Sequence, residues 1–224
     1  MSNPGFKKLL YAQIARLGKA VSNGHRLELL EYLAQGERPV EALARLSGLS
    51  VANTSQHLQM LRQSGLVSTR REGLYVHYRL ADPQVAQLLE LLGKLAASQL
   101  AEVDRLVQNY LTRKDQMEPI PRTELLARAR EGLVTVLDVR PREEYEAGHV
   151  TGAINIPLKH LEEHLQSLPR QQDIVAYCRG PYCVLAYEAV AQLREKGFKA
   201  RRLEDGYPEW KLAGLPIEEA DKKE

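Results

Sequence analysis

The spacing of apolar residues changes near the middle of this 224-residue chain, and that change limits the folds open to it. Up to about residue 110, apolar side chains recur at helical spacing, except where residues 74–80 alternate as in a strand. Beyond a polar, proline-bearing segment at 112–121, short apolar runs alternate with helical segments, which is typical of an α/β domain with a mostly parallel sheet. A chain of this length can hold two ordinary domains. We therefore predict a mainly helical domain, a linker and an α/β domain, over residues 1–112, 113–120 and 121–224.

The helical half contains two short helices separated by a tight turn. Pro39 is well placed in the first turn of a helix that stops at Gly48. Ser50 is a candidate N-cap for the next helix, which runs through Arg62. Two short helices joined by a three- or four-residue turn that contains glycine form the helix-turn-helix arrangement.

A basic β-hairpin is predicted directly after these helices. Residues 66–80 alternate in polarity, and Glu72-Gly73 is a plausible tight turn that leaves Arg70 and Arg71 near the tip. Residues 1–82 carry 11 Lys and Arg against 6 Asp and Glu, whereas the rest carries 20 against 23. This small asymmetry indicates that the N-terminal half is the one that faces nucleic acid.

A long helix is predicted over residues 84–110, because apolar residues form one stripe along it. At full length it would span roughly 40 Å. One small domain cannot cover such a stripe, so we expect the helix to pair with a second subunit, which predicts a homodimer.

Both cysteines of the chain lie in one segment, residues 174–186. A β-rich run ends at Tyr177, Cys178 follows, a four-residue loop comes next, and Cys183 opens a helical pattern. Loop N–H groups and a helix dipole favour an anion at such a place, so we expect the pKa of Cys178 to be lowered and its thiolate to be nucleophilic. Two cysteines do not make a disulfide scaffold. Without a signal peptide or a membrane span in the sequence, a cytoplasmic protein with reduced thiols is expected.

The run SVANTSQHLQMLRQSGLVSTRREGLYVHYRL, residues 50–80, resembles the recognition helix and wing of ArsR-type winged-helix repressors. The resemblance covers roughly residues 10–110 and implies a double-stranded DNA operator as partner. In the predicted helix that follows Ser50, Val51, Leu58 and Leu61 are expected to point inward and to be buried. Outward positions on the same helix predict DNA contacts by Asn53, Ser55, Gln56 and Gln59, with Arg70 and Arg71 of the wing on the backbone or minor groove. The alternative is a helical protein–protein module with a solvated polar face.

Members of that family often bind metal through cysteines in the helix before the turn, or through ligands on the last helix. Here the first position reads Val40-Glu41-Ala42-Leu43, and residues 84–110 contain no histidine. His160 and His164 have the spacing of a helical metal pair, but no third ligand is evident. We therefore predict no metal site and no cofactor.

Three separated segments of the second half, residues 137–158, the loop at Cys178 and residues 204–217, together resemble a single-domain rhodanese. The resemblance covers residues 119–220 and implies an α/β domain whose cysteine takes a sulfane sulfur as a persulfide. Cys178 holds the nucleophile position, and the loop N–H groups would stabilise its anionic forms. Gly180 would let the backbone turn inward without a clash. Arg179 either holds an anionic donor or points outward into solvent.

Other residues of that resemblance are interpreted as structural. Asp138 and Arg140 would brace the loop or each other, and His149 would be a hydrogen-bonded scaffold residue rather than a base. Trp210 would belong to the core or a pocket wall. Val184 stands where phosphatases and arsenate reductases of this fold have a phosphate-clamping arginine, which disfavours their chemistry.

Cys183 is a departure from the sulfurtransferase pattern, which often has a polar or basic residue there. A second thiol at the edge of a tightly curled loop could resolve a persulfide or sulfenic acid on Cys178. The alternative is a small buried residue at a helix start.

These observations predict a winged-helix transcriptional regulator, a repressor by its family resemblance, that responds to sulfane sulfur or oxidation through Cys178 and Cys183. The expected sulfur donors are thiosulfate, polysulfide or a low-molecular-weight persulfide. One alternative is a sulfurtransferase enzyme carried on a DNA-binding module, whose output is turnover. A third is an inert rhodanese fold used for partner contacts.

Overall fold

The computed structural model describes residues 4–112 and 118–219. They form two compact units that divide between Leu89 and Glu90. The predicted linker at 113–120 stays a prediction, because residues 113–117 lie outside the described residues. The two predicted fold types are both present, a mainly helical unit followed by an α/β unit.

Helices of the first unit pack around one apolar core. Their bounds are α1 Pro4–Val21, α2 Gly24–Ala34, α3 Val40–Ser47 and α4 Val51–Gln63. The Asn23 side chain caps α2, and the Ser50 side chain accepts from the Asn53 N–H at 3.2 Å to cap α4, as predicted. Gly48 ends α3 in the left-handed conformation, with φ of 67°. The core is formed by fully buried leucines, Leu29, Leu30, Leu43, Leu58 and Leu61.

A small antiparallel sheet completes the winged arrangement. Its strands are β1 Arg38–Pro39, β2 Val67–Glu72 and β3 Tyr75–Leu80, in the order β1-β3-β2. Glu72 pairs with Tyr75, so the hairpin turn is Gly73-Leu74, one residue later than predicted. Gly73 has φ of 58°, the left-handed conformation that this turn requires and that glycine adopts without strain.

The predicted helix over 84–110 is broken. Helix α5 spans Gln84–Gln99, α6 spans Ala101–Val107, and a π-helical turn covers Gln108–Thr112. Leu100 lies between α5 and α6 in an extended conformation, with φ of −110° and ψ of 99°. The second half of α5, from Glu90 onward, belongs to the same compact unit as the α/β sheet.

The second unit is built on a parallel sheet in the order β6-β4-β7-β8. These strands are β4 Val134–Asp138, β6 Ile154–Asn155, β7 Asp173–Tyr177 and β8 Ala200–Arg202. A separate antiparallel pair joins β5 His149–Val150 to β9 Ile217–Glu218. No helix in the described part of the chain is long and apolar enough to cross a bilayer.

Helices surround this sheet, and side-chain alternation along β7 decides where Cys178 lies. The helices are α7 Arg122–Arg130, α8 Arg142–Ala147, α9 Leu161–His164, α10 Val184–Glu195 and α11 Tyr207–Leu212. Helix α9 lies between two 3₁₀ turns, Leu158–His160 and Leu165–Ser167. Ile174, Ala176 and Cys178 join the apolar cluster that contains α10, whereas Val175 and Tyr177 join the cluster with Trp210. Cys178 therefore faces α10.

Candidate functional site

The two cysteines lie at opposite ends of one tight loop. Cys178 directly follows β7, and Cys183 is the N-cap residue of the 12-residue helix α10. The Cys183 N–H donates to the Gly180 carbonyl at 3.1 Å, which closes the loop. The Cys178 carbonyl accepts from the Tyr207 N–H at 3.0 Å, which ties the loop to the start of α11. This order of strand end, loop and helix start is as predicted.

The Cys178 sulfur is enclosed and close to Cys183. Cys178 is 1% exposed and Cys183 is 8% exposed. The Cys178 thiol donates to the Cys183 carbonyl at 3.3 Å. Both thiols are free in the structure. The two cysteines therefore meet across the loop through the Cys178 thiol and the Cys183 backbone.

The electrostatics of the pair differ from the expectation for Cys178. Burial raises the pKa of Cys178 well above its ordinary value and outweighs the N–H groups of Ala186 and Gly180 that face it. The neighbouring Cys178 thiol lowers the pKa of Cys183, and the backbone N–H groups of Arg179 and Leu185 add to that effect. The prediction of a lowered pKa at Cys178 is therefore wrong; the loop lowers the pKa of Cys183 instead.

The Arg179 side chain is paired with another residue and does not point outward into solvent, so that alternative is wrong. A role of Arg179 in holding an anionic donor stays a prediction. Its guanidinium forms a double hydrogen bond with Glu144 of α8, with an Nη2–Oε1 distance of 2.8 Å. Glu144 is completely buried. The guanidinium is therefore paired with Glu144, while the backbone N–H and the charge of Arg179 both help to lower the pKa of Cys183.

Beneath the loop, a buried ion pair braces the end of β4, as predicted for Asp138 and Arg140. Both side chains are fully buried, and Arg140 Nη2 lies 2.6 Å from Asp138 Oδ2. The same guanidinium donates to the Gly148 carbonyl at 2.7 Å. The Tyr177 hydroxyl donates to Asp138 Oδ2 at 2.6 Å. The pair therefore connects β4, β7 and the segment before β5.

His149 and Trp210 are structural, which agrees with the sequence interpretation. His149 Nδ1 lies 2.9 Å from the Tyr145 carbonyl, and its ring stacks on the Tyr145 ring with centroids 3.6 Å apart. Trp210 is buried, and its Nε1 donates to the Pro216 carbonyl at 2.9 Å. These contacts lie beside the antiparallel pair of β5 and β9.

Gly206 is the glycine against which the cysteine loop packs most closely, and it was not predicted from the sequence. A methyl group on Gly206 would overlap the Gly180 amide nitrogen and lie 2.5 Å from the Gly180 Cα. A methyl group on Gly180 would meet Glu209 Oε1 at 3.7 Å, an ordinary contact. The loop backbone therefore packs directly on the Gly206 backbone. Glu209 accepts the Gly206 N–H at 3.0 Å, and burial raises the pKa of Glu209 to about 7.

Replacing Gly206 with alanine is expected to displace the cysteine loop and to destabilise the second unit by about 1–3 kcal/mol, because an overpacked side chain forces backbone shifts. The measurement is urea unfolding followed by fluorescence of Trp210, the single tryptophan of the chain. Gly180→Ala is the matched control and should unfold like the wild type. Equal stability of Gly206→Ala and Gly180→Ala would show that the two backbones do not pack as described.

Tyr182, between the two cysteines, connects the loop to helix α5. Its hydroxyl donates to the Gly93 carbonyl at 3.3 Å. A methyl group on Gly93 would lie 3.3 Å from Tyr182 Cε2, so the ring packs against the bare helix backbone there. The only sign of this contact in the sequence is Gly93 itself, because a glycine in mid-helix is a signal of close packing.

In the first unit, most of the predicted DNA-contacting side chains of α4 face solvent. Asn53, Gln56 and Gln59 are exposed, and Ser55 is half-buried. The buried set was predicted in part: Leu58 and Leu61 are buried, whereas Val51 is 47% exposed and Thr54 is buried in its place. Helical rotation accounts for this, because position 54 lies one turn before Leu58.

The wing arginines differ from each other. Arg70 pairs with Glu37 at 2.7 Å and with Glu72 at 2.8 Å. Arg71 is exposed at the next position along β2. Within residues 4–112 and 118–219, no group of three or more His, Cys, Asp and Glu side chains is arranged to hold a metal ion.

Comparisons with known proteins agree with this architecture. The family model of the arsR-family bacterial regulatory proteins matches residues 23–69, and the rhodanese-like domain model matches residues 121–213. The HTH-type transcriptional regulator Rv0324 of Mycobacterium tuberculosis is 48% identical over 213 residues, which is 95% of this chain and 93% of the relative. A probable mercury resistance operon repressor of Streptomyces lividans is 38% identical over 90 residues, 40% of this chain and 72% of the relative.

A solved structure is similar to the first half. It is the homodimeric winged helix-turn-helix DNA-binding domain of Mb0332 from Mycobacterium bovis, a possible ArsR-family transcriptional regulator. It is 44% identical, covers 45% of this chain and 93% of its own, and has a TM-score of 0.42. The relative matched over nearly its whole length fixes the assignment: this chain belongs to the family of ArsR-type helix-turn-helix transcriptional regulators that carry a rhodanese-like domain.

Proposed function

We propose that this regulator is a repressor that senses sulfane sulfur or oxidation through Cys178 and Cys183, and that modification of the pair lowers its affinity for the operator. The observation that carries the proposal is the closed loop with one cysteine at each end, across which the Cys178 sulfur lies 3.3 Å from the Cys183 carbonyl oxygen. We expect a disulfide between the two ends of this loop to need only a small movement of the chain. Thiosulfate, polysulfide or a low-molecular-weight persulfide would supply the sulfur.

Modification of Cys178 would also remove one of the hydrogen bonds across the loop. The Cys178 thiol is a hydrogen-bond donor to the Cys183 carbonyl, and a disulfide or persulfide has no hydrogen there to donate. Because both sulfurs are enclosed, an added sulfur atom needs space that a closely packed interior does not offer. A rearranged loop is therefore the expected result of either chemistry.

Tyr182 connects the rearranged loop to helix α5. It lies inside the loop, and it contacts Gly93 by both its hydroxyl and its ring. Helix α5 is continuous from Gln84 to Gln99, so we expect a shift at Gly93 to be felt along this helix toward its N-terminal end. A two-state change of this kind needs a coupling of only about 1–3 kcal/mol.

The DNA-facing part of the proposal requires two copies of the chain. Exposed apolar side chains lie along α1 and along α5 and α6, as apolar faces of interaction sites do: Phe6, Leu9, Tyr11, Ile14, Leu91, Leu95 and Leu106. In a homodimer, the recognition helices α4 would enter successive major grooves roughly 34 Å apart. Asn53, Gln56 and Gln59 would then reach base edges or phosphates.

The proposal is tested by operator titration of the reduced protein and of protein treated with a persulfide donor. We expect treatment to weaken wild-type binding by about 5–150-fold. Cys178→Ser should bind equally with and without the donor. A wild type whose affinity does not change on modification would refute the sensing role.

A sulfurtransferase carried on a DNA-binding module is the alternative, favoured by the rhodanese-like match over residues 121–213. The compensated charge of Arg179 argues against an anion position for thiosulfate at the loop. Steady thiosulfate:cyanide turnover by a protein whose operator affinity is insensitive to modification would establish the enzyme instead. If alkylation of Cys178 changed neither the thiosulfate:cyanide turnover nor the operator affinity, the rhodanese fold would be chemically inert.

The pairing of Arg70 predicts a variant that binds DNA more tightly. Glu37→Gln removes one of the two carboxylates that hold Arg70, which leaves the guanidinium more available to phosphate. We expect operator affinity to rise a few-fold and the salt dependence to steepen by about one phosphate contact per subunit. Glu41→Gln on α3 makes the same change in net charge without touching Arg70. Equal gains in the two variants would mean that net charge alone is responsible.

A further inference from the structure

We propose that Glu144 determines which sulfur donors react at the cysteine loop, because it holds the Arg179 guanidinium away from a doubly charged oxyanion such as thiosulfate. The donor class is then a low-molecular-weight persulfide, R–S–SH, rather than an oxyanion. This inference rests on the proposed sulfur-sensing function and names the donor of the same site. It also assigns the role of Arg179, which in the wild-type protein is to pair with Glu144 and not to hold a donor.

Arg179 is bound to both oxygens of the Glu144 carboxylate. Its Nε donates to Oε1 at 3.1 Å and to Oε2 at 3.0 Å, and its Nη2 donates to Oε1 at 2.8 Å. Charge-assisted bonds to both oxygens fix the orientation of a guanidinium as well as compensating its charge. Arg179 directly follows Cys178, and its charge acts on the sulfur site, where it contributes to the lowered pKa of Cys183. The guanidinium beside the sulfurs is therefore already engaged.

Burial makes this ion pair hard to separate. The Glu144 side chain is fully buried, and the Arg179 side chain is 14% exposed. If the guanidinium turned to a bound anion, a buried carboxylate would lose the charge that compensates it, which is strongly unfavourable. Arg140 also lies near Glu144, but it is paired with Asp138 at 2.6 Å. An oxyanion at the loop would therefore have to compete with Glu144 for Arg179.

Both classes of donor react by the same displacement, and they differ in the group that leaves. With a persulfide, R–S–SH, a cysteine thiolate of the loop attacks the outer sulfur, the S–S bond breaks, and Cys–S–SH and R–S⁻ form. With thiosulfate, the same attack gives Cys–S–S⁻ and sulfite, SO₃²⁻, which leaves with the electron pair of the broken bond. The sulfonate oxygens carry negative charge throughout, and an available guanidinium would stabilise it. A persulfide has no oxyanion group and does not need that guanidinium.

Rates of cysteine modification by two donors, followed by intact mass spectrometry of the full chain, test the role of Glu144. The donors are thiosulfate and 2-hydroxyethyl persulfide, whose R group is uncharged. Glu144→Gln keeps the size of the side chain and removes the carboxylate charge, so the thiosulfate rate divided by the persulfide rate should rise about tenfold. A loop that was merely loosened would admit both donors more readily and would leave this ratio unchanged.

Two control variants separate the buried ion pair from net charge. Glu146→Gln makes the same change in charge at a 47% exposed side chain that pairs with Arg142, and it should keep the wild-type ratio. Glu144→Gln/Arg179→Met removes both charges of the buried pair, so the ratio should return to about the wild-type value. A ratio that stayed raised in this double variant would mean that Glu144 does not act through Arg179, and the proposal would be wrong.

A measurement on the wild type keeps the proposal testable if the variants do not fold. Because Arg179 is held by Glu144, the rate with thiosulfate should increase in proportion to its concentration, without saturation up to about 1 mM. Saturation below that concentration, or an unchanged ratio in Glu144→Gln, would overturn the selection of donors while leaving the sensing function intact. A wild type that neither donor modifies would instead count against the proposed function.

Discussion

Replacing Arg140 with leucine is expected to lower the free energy of unfolding of the second unit by about 3–5 kcal/mol, because it leaves one charge of a buried pair without its partner. Asp138 is fully buried and keeps only neutral donors, among them the Tyr177 hydroxyl at 2.6 Å. The variant also loses the bond from Arg140 to the Gly148 carbonyl. Urea unfolding followed by Trp210 fluorescence measures the change, since Trp210 is buried in this unit.

Arg142→Leu is the matched control for this measurement. Arg142 is two residues away and pairs with Glu146 on the exposed face of α8, with side-chain exposures of 79% and 47%. An exposed i,i+4 pair contributes little, so its loss should leave the unfolding curve unchanged. If Arg140→Leu and Arg142→Leu unfolded at the same urea concentration, the buried ion pair would not stabilise the second unit.

Replacing Tyr182 with alanine is expected to separate sulfur chemistry from DNA binding. The thiols, their N–H donors and the loop closure at Gly180 do not depend on this side chain, so sulfur uptake by mass should match the wild type. The contact with Gly93 is lost, so the 5–150-fold change in operator affinity expected on modification should fall to about onefold.

Tyr182→Phe keeps the ring against Gly93 and removes only the hydroxyl bond at 3.3 Å. It should therefore retain much of the response, which identifies ring packing as the larger part of the coupling. Gly93→Ala should reduce the response from the helix side, because its methyl group presses on the Tyr182 ring. A Tyr182→Ala protein that loses operator affinity on modification as fully as the wild type would place the coupling elsewhere.

Much of this architecture could be predicted because the signals are local. The Ser50 cap, the strand alternation before Leu80 and the β-rich run before Cys178 each reflect interactions within a few residues. The hairpin turn was misplaced by one residue, since Glu72-Gly73 and Gly73-Leu74 both offer a glycine with the required freedom. The break at Leu100 has no proline or glycine to mark it.

The other features of the site could not be predicted from the sequence, because they depend on contacts between segments that are distant in the chain. Arg179 meets Glu144 35 residues away, and Tyr182 meets Gly93 across 89 residues. The raised pKa of Cys178 follows from its enclosure, which local sequence does not show. Gly206 is required because another part of the backbone packs on it.

The most direct test of the whole account is an operator-controlled reporter in cells challenged with sulfide, with the regulator supplied as wild type or as Cys178→Ser/Cys183→Ser. With the wild-type regulator, sulfide should raise expression of the reporter. With the double variant, present at the same level as the wild type, the reporter should stay repressed. If sulfide raised reporter expression as much with the double variant as with the wild type, the claim that these two sulfurs control operator binding would be contradicted.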